Sequence, residues 1–229
     1  MQKKVSMDIK IVAVYHCALT SKFGTPRQSG IVPGLKGEVE MAGEYRNPEY
    51  LRGLEGFDYI WLLWLFSANS HASSGSTVRP PLLGGNRSLG VFSTRSPYRP
   101  NPIGLSSVRL LDIGTSSTGV PVLHVEGADL IDGTPIIDIK PYLEYADSHQ
   151  GVRSGFVDTH PWPRLDVRFS PQAMSLLTAG DMQLLRSLLE QDPRPHYHSD
   201  EMRIYGMPFD GRDVKFRVEN NVLTVVDVV

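Results

Sequence analysis

Short runs of apolar residues, some alternating with polar positions and some uninterrupted, recur along the first two thirds of the chain. Gly37–Met41 alternates, whereas Tyr59–Phe66 is a continuous apolar run. Both patterns predict β-strands. Five further segments carry similar apolar or β-branched patterns: Ile9–Leu19, Leu89–Thr94, Ile103–Ile113, Pro121–Leu130 and Thr134–Ile139. Seven short strands with turn residues between them predict a mainly β fold, an antiparallel barrel or a sandwich.

Two connections between these segments carry local signals. Asp132-Gly133 has the chemistry of a two-residue hairpin turn, and it is predicted to join the last two strands. Asn47–Leu54 begins with Asn-Pro and continues with three apolar residues, which predicts one short helix with proline in its first turn.

The last third of the chain has a different pattern. His149–Pro163 is polar and has no apolar periodicity, so we place a domain boundary there and expect domains at residues 1–150 and 151–229. Beyond it, Leu165–Phe169 alternates and Ser170-Pro171 is a helix start. A helical stripe then ends at Leu189, and Gly180 is expected to split that helix in two.

The C-terminal residues complete this second domain. Val214–Val218 alternates, and Asn220-Asn221 is expected to turn the chain into Val222–Val226. The pattern predicts a small α+β domain.

Composition excludes several classes of protein. The chain has 229 residues, of which 41% are hydrophobic and 21% charged, as is usual for globular proteins. Its longest apolar run has eight residues, against about 20 for a membrane helix, and Met1–Lys10 has no apolar signal region. We therefore expect a soluble protein that is not exported. The single Cys17 is compatible with the reducing cytoplasm and is expected to be a buried, inert thiol.

Charge is unevenly distributed although the net charge is only −2. Residues Tyr59–Leu111, the basic block, contain five arginines and no other charged residue: Arg79, Arg87, Arg95, Arg99 and Arg109. Residues Val120–Asp147, the acidic block, contain six carboxylates and only Lys140 as a cation. The two blocks either form structural ion pairs or build a site for a ligand that carries both charges.

Common catalytic motifs are absent from the sequence. There is no G-x-G, Walker A, H-E-x-x-H or C-x-x-C motif, so a Rossmann-type cofactor site is not expected. His196, His198, Asp200 and Glu201 could hold a metal, but this spacing in a Pro-rich turn is more typical of a solvated loop. We expect no metal.

Thr77–Ser107, the Pro-rich segment, is rich in both proline and arginine. It contains five prolines together with four of the basic-block arginines up to Arg99, so we expect a stiff, Arg-bearing loop. Such a loop is either a solvated surface loop or a site for carboxylate, phosphate or stacked bases, because arginine binds all three.

The Pro-rich segment and three other blocks resemble the TrmO family of tRNA methyltransferases, also called the TsaA-like or VirR/YaeB group. The other blocks are KFGTPRQ (Lys22–Gln28), GLEGFDYIWLLWLF (Gly53–Phe66) and DLIDGTPIIDIKPYL (Asp129–Leu143), and Gln191–Pro195 resembles the second domain of bacterial members. The resemblance implies an S-adenosylmethionine-dependent enzyme on a single-sheet β-barrel. It also implies a homodimer that methylates N6 of N6-threonylcarbamoyladenosine beside the tRNA anticodon.

The resemblance also implies the residues that bind the cofactor. They are Pro26, Arg27, Gln28, Ser67, Ala68, Arg95, Leu105, Asp132, Gly133, Thr134 and Pro135. Related bacterial chains carry His where this sequence has Ser67, so we expect only backbone contacts from Ser67 and Ala68.

The residue chemistry agrees in kind with that cofactor. An Arg fork suits its carboxylate, and carboxylates or carbonyls favour its sulfonium and ammonium groups. Asp138 and Tyr142 are candidates for a general base by residue type alone, and neither is assigned. Tyr98, Arg99 and Asn101 suit a splayed anticodon-loop nucleotide, with loop or dimer packing as the alternative. A non-catalytic RNA-binding or nucleotide-sensing barrel is the alternative function.

Overall fold

A computed structural model describes residues 8–69, 75–194, 200 and 202–229. The described residues form twelve strands: β1 (Ala13–Cys17), β2 (Lys36–Met41), β3 (Tyr59–Leu65), β4 (Thr77–Val78), β5 (Leu89–Gly90), β6 (Ile103–Thr115), β7 (Pro121–Glu126), β8 (Thr134–Pro141), β9 (Asp166–Phe169), β10 (Tyr205–Phe209), β11 (Arg212–Glu219) and β12 (Val222–Val228). They form three α-helices: α1 (Glu144–Asp147), α2 (Pro171–Leu176) and α3 (Ala179–Leu189). No helix in these ranges is long and apolar enough to cross a membrane.

Six strands close into an antiparallel barrel in the order β1-β2-β7-β6-β3-β8. Alternate residues of each strand point into the barrel, so that Ile60, Leu62 and Trp64 of β3 are buried while their neighbours lie on the outer face. Closure pairs every barrel strand on both sides and leaves no edge strand. The predicted mainly β fold with a single-sheet barrel is confirmed.

Two strand predictions in this domain are wrong in detail. Leu89–Thr94 is not a barrel strand: only Leu89–Gly90 is extended, paired with β4, and Val91–Ser93 forms a 3-10 helix. The Asp132-Gly133 turn does form, but it is not a hairpin, because β7 pairs with β2 and β6 whereas β8 pairs with β1 and β3. Turn chemistry is local, and it does not determine which strands become neighbours.

Other boundaries are shorter than the sequence suggests. β1 covers only part of Ile9–Leu19, and β7 ends at Glu126 because Gly127 adopts a left-handed conformation with φ 84°. The predicted short helix is two 3-10 helices, Pro48–Leu51 and Leu54–Gly56.

The C-terminal residues form a sheet in the order β10-β11-β12-β9, with β9 parallel to β12 and helices α2 and α3 alongside. Ser170 caps α2, as predicted. The helical stripe is indeed divided, but Gly180 is not the break. Leu177 is extended, and Thr178 starts α3 through a capping box with Asp181. Asn220 and Asn221, both at positive φ, make the predicted turn between β11 and β12.

Candidate cofactor site

Residues Ala18–Leu35 between β1 and β2, the β1–β2 loop, contact three of the other segments that the sequence singles out. Lys22 Nζ donates to the carbonyl of Ala68 at 2.6 Å. Gln28 Oε1 accepts a hydrogen bond from Arg95 Nη1. The backbone N–H of Asp132 donates to the carbonyl of Leu19 at 2.8 Å. The loop therefore brings together residues that are far apart in the sequence.

The Arg27 side chain turns away from these segments and toward the C-terminal domain. Its guanidinium lies 3.7 Å above the ring of Trp162, and Nη2 donates to the carbonyl of Asp192 at 2.8 Å. Burial lowers the pKa of Arg27. Nη1 is also buried and has no acceptor among the described residues. Pro26, the preceding residue, is buried.

Asp129, a carboxylate that interacts electrostatically with Arg95, is not among the residues predicted to bind the cofactor. Trp64 Nε1 donates to Ser106 Oγ at 2.9 Å, and Ser106 Oγ in turn donates to Asp129 Oδ1. Burial raises the pKa of the Asp129 carboxyl, whereas the Ser106 hydrogen bond and the positive charge of Arg95 lower it. The sequence signals for this residue were its place in the acidic block and its position at the start of the block Asp129–Leu143.

Strand β6 turns Gly104 and Ser106 toward the barrel interior and Leu105, which lies between them, toward the outside. Leu105 lies opposite Leu63 of β3 on the outer face and is 52% exposed. Gly104 packs against the ring of Trp64 so closely that a Cβ there would lie 2.2 Å from Trp64 Cε2. Glycine at this position lets the indole reach Ser106.

The Asp132–Pro135 turn is fixed against β1. Asp132 Oδ1 accepts the backbone N–H of Cys17 at 3.2 Å and lies 3.1 Å from His16 Nδ1. Gly133 adopts φ 76° and donates its N–H to the carbonyl of Tyr15. In the same turn, the buried Thr134 donates from Oγ1 to the carbonyl of Ile131 at 2.7 Å, and Pro135 lies opposite Val14.

Ser67 and Ala68 are exposed at the end of β3, and the Ser67 N–H donates to the carbonyl of Leu65. Their expected backbone contacts to the cofactor stay a prediction. Cys17 is half-buried and not fully buried as predicted; its thiol donates toward the carbonyls of Leu19 and Leu130, and burial raises its pKa. That the thiol is inert stays a prediction.

The three residues suggested for tRNA differ in their surroundings. Tyr98 is 46% exposed and Asn101 is exposed. Arg99 is half-buried and donates from Nη1 to the carbonyl of Thr94 at 3.1 Å, so its guanidinium braces the Pro-rich segment. This contact favours a packing role for Arg99.

Neither candidate general base is buried. Asp138 makes an exposed ion pair with Lys140 at 2.8 Å. Tyr142 packs its ring against Tyr59 and Trp61. We assign no general base.

Ion pairing does not explain the two charge blocks. Among the described residues, no arginine of the basic block has a carboxylate within 4.0 Å. Arg79, Arg87, Arg95 and Arg109 are exposed. Their charge is therefore available to an anionic ligand.

Two surface grooves, of about 450 and about 370 Å³, open on the barrel, and the larger one adjoins the Asp132–Pro135 turn through His16 and Cys17. The larger one is lined by residues that include His16, Glu38, Asp112 and His124. In the part of the chain that is described, no group of three or more His, Cys, Asp or Glu side chains is arranged to hold a metal. Of the metal candidates, His196, His198 and Glu201 lie outside the described residues.

Both the N-terminal and the C-terminal parts of the chain match models of one protein family. The family model for the tRNA-methyltransferase O N-terminal domain matches residues 14–148, and the model for the TrmO C-terminal domain matches residues 162–229. The tRNA (adenine(37)-N6)-methyltransferase of Escherichia coli (strain K12) is 35% identical over 221 residues, which cover 93% of this chain and 94% of that protein.

A shorter relative and a solved structure extend the comparison. The "Probable S-adenosyl-L-methionine-binding protein" of Methanothermobacter thermautotrophicus is 46% identical over 145 residues, covering 62% of this chain and 96% of that protein. The crystal structure of TrmO from Pseudomonas aeruginosa superposes with a TM-score of 0.79 at 32% identity and covers 99% of this chain and 98% of that one. The chain belongs to the tRNA-methyltransferase O family.

Proposed function

We propose that this protein is an S-adenosylmethionine-dependent tRNA methyltransferase that methylates N6 of N6-threonylcarbamoyladenosine beside the anticodon. The observation that carries the proposal is the meeting of the β1–β2 loop with Arg95, Ala68 and Asp132. The full-length similarity to the Escherichia coli enzyme, which is named for adenine 37, supports the same reaction.

The donors and acceptors in this region fit the cofactor. Arg95 is exposed and uses one N–H on Gln28, which leaves other N–H groups to bind a carboxylate. Asp129 and Asp132 lie beside the same loop and favour a cation. When bound, S-adenosylmethionine supplies an electrophilic methyl group on a sulfonium. Arg95 would hold its carboxylate, and the Asp132–Pro135 turn would contact the remainder.

This chain contributes mainly by positioning the reactants. Methyl transfer requires an in-line approach of the adenine N6 to the methyl group, and holding two reactants in that geometry accounts for a large part of the rate. Exposed Tyr98 and Asn101 offer a ring for stacking and an amide for hydrogen bonding to the nucleotide. Arg79 and Arg87 supply charge for backbone phosphates.

Three further expectations belong to the same proposal: a homodimer, a cytoplasmic location, and domains at residues 1–150 and 151–229. For the dimer, the support is a row of apolar residues on the outer barrel face, where Leu63 opposes Leu105 and Leu65 opposes Ile103. Sedimentation velocity of wild type and Leu105→Asp tests the dimer, and a monomeric wild type refutes it.

The test of function is methyl transfer from labelled S-adenosylmethionine to tRNA taken from a strain lacking this gene, followed by nucleoside analysis. We expect label in N6-methyl-N6-threonylcarbamoyladenosine. In a second reaction, tRNA that lacks the threonylcarbamoyl group should accept no methyl group. Label in unmodified adenosine at the same rate would refute the finer substrate, and binding of both ligands without any transfer would favour the non-catalytic barrel.

A further inference from the structure

The β1–β2 loop is built into the core of the C-terminal domain, although its sequence belongs to the barrel half of the chain. Leu19, Val32 and Leu35 are each 1% exposed and share one hydrophobic cluster with the residues of α3 and β9–β12. Phe23 stacks on Tyr205 and Phe216 with ring centroids 6.4 and 6.1 Å apart. The C-terminal domain therefore holds both ends of the loop.

At the middle of the loop, one polar attachment adds to this apolar packing. The half-buried guanidinium of Arg27 lies over the ring of Trp162 and donates a hydrogen bond to the carbonyl of Asp192. Asp192 is itself held, with φ 49° and a two-bond ion pair to Arg194 at 2.8 and 3.0 Å. A planar guanidinium between an aromatic face and a fixed carbonyl has little freedom.

This attachment is connected to Arg95 through a single residue. Gln28 Nε2 donates to the carbonyl of Arg27, and Gln28 Oε1 accepts from Arg95 Nη1. Movement of Arg27 away from Trp162 would therefore shift the carbonyl that orients Gln28. The Arg95 guanidinium would then lose the acceptor that orients it.

We propose that Trp162 and Asp192 are positioning residues: the C-terminal domain fixes Arg27, and thereby orders the β1–β2 loop and Arg95 before the cofactor binds. This inference rests on the proposed function. A loop ordered in advance raises affinity because binding does not have to supply the ordering free energy. The C-terminal domain thus determines cofactor affinity without contacting the reacting atoms.

The test is Trp162→Leu, which keeps an apolar side chain but removes the ring below Arg27. We expect the Kd for S-adenosylmethionine, measured by calorimetry, to rise roughly 3- to 30-fold, the range between an exposed and a desolvated cation–π contact. The KM for the cofactor should rise similarly, with kcat and the KM for tRNA unchanged. Trp162→Phe, which retains an aromatic face, should restore most of the affinity.

Phe169→Leu is the matched control. Phe169 lies in the same domain beneath another arginine, Arg186, at 5.4 Å, and Arg186 also donates to a backbone carbonyl. Among the described residues, neither member of that pair makes a hydrogen bond, ion pair or ring contact with the β1–β2 loop, although Phe169 packs against the same hydrophobic cluster. This variant should therefore bind the cofactor as wild type does.

Hydrogen exchange of the cofactor-free proteins provides a readout independent of catalysis. Amides of residues 20–30 should exchange faster in Trp162→Leu than in wild type or Phe169→Leu. Unchanged exchange with unchanged Kd overturns the proposal, as does a rise confined to the KM for tRNA.

If wild type binds the cofactor but methylates no tRNA, the proposed function fails while the binding and exchange measurements still decide this inference. If Trp162→Leu does not fold, the same comparison is made with Trp162→Met, which also lacks an aromatic face below Arg27, and a wild-type Kd with a wild-type exchange rate in that variant refutes the assignment.

Discussion

The close approach of Gly104 to Trp64 makes Gly104→Ala the sharpest test of the barrel interior next to the site. The added Cβ would lie 2.2–2.5 Å from three atoms of the indole, well inside contact distance. Trp64 is 8% exposed and packs edge-on against Phe66 at 4.3 Å between centroids, so a shift of the ring disturbs closely packed neighbours. Any shift of the ring also strains its hydrogen bond to Ser106.

The expected loss of unfolding free energy follows from these contacts. Overpacking costs about 1–3 kcal/mol, and a lost hydrogen bond between neutral groups adds about 1 kcal/mol, giving about 2–4 kcal/mol in total. In a chain of this size each kcal/mol lowers Tm by about 2–4 °C. Urea unfolding followed by far-UV circular dichroism measures the change.

A second glycine provides the control. Gly180 lies in the first turn of α3, where an added Cβ would meet Thr178 Oγ1 at 3.8 Å, an ordinary contact. Gly180→Ala should therefore be neutral or stabilise by up to about 1 kcal/mol. Wild-type stability and an unchanged near-ultraviolet spectrum in Gly104→Ala would contradict the tight packing of Trp64.

The remaining predictions concern charge. Arg95→Ala should raise the cofactor Kd by the equivalent of about 1–3 kcal/mol in calorimetry, whereas Arg109→Ala, an exposed arginine of the same block, should leave the Kd unchanged; equal effects would remove Arg95 from the site. Arg87→Ala should lower by about one the slope of log affinity for tRNA against log salt concentration. Arg217→Ala, which removes an exposed arginine of the C-terminal domain, is the control and should leave that slope unchanged. Asp129→Asn tests the raised pKa of the Asp129 carboxyl. A protonated carboxyl contributes its full stability below the ordinary pKa of 3.8, and this contribution is lost as the pH rises through the pKa of the folded protein. The unfolding free energy of wild type relative to the variant should therefore fall over that pH interval. A difference that grows with pH in urea titrations would show that Asp129 is instead stabilised as an anion.

Much of the barrel could be predicted because its signals are local. The continuous apolar run of β3 and the alternation in β2 each mark a strand whatever its partner is. Strand order is not local, and for that reason Asp132-Gly133 suggested a hairpin between strands that lie apart in the barrel. The helix break at Leu177 was missed because glycine weakens a helix only slightly, whereas the Thr178 capping box defines a start.

The site residues likewise fall into those that the sequence could predict and those that it could not. The residues that the family resemblance implies lie in recognisable blocks, and three of those blocks meet at the β1–β2 loop. Trp162 and Asp192 contact Arg27 from more than 130 residues away, and no periodicity or motif links such positions. Asp129 was visible only as one of six acidic residues and as the first residue of the block Asp129–Leu143. Its role could not be predicted because it depends on Ser106 and Trp64 being inside the barrel.

The exposure of the site residues bears on how the reaction centre is completed. Arg95, Ser67, Ala68 and Asp132 are all exposed, and none of them lines either of the two grooves described above, although the larger groove adjoins Asp132 through His16 and Cys17. A charged ligand on an open surface competes with water, which weakens each hydrogen bond and ion pair that holds it. Two large apolar side chains of the Pro-rich segment that carries Arg95 are exposed, Leu105 at 52% and Phe92 at 79%. Exposed apolar side chains of this kind are what a second macromolecular surface would cover. We therefore expect cofactor affinity to increase when that surface, a second copy of the chain or the tRNA, is in place, and a Kd independent of both would show that the barrel alone forms the complete site.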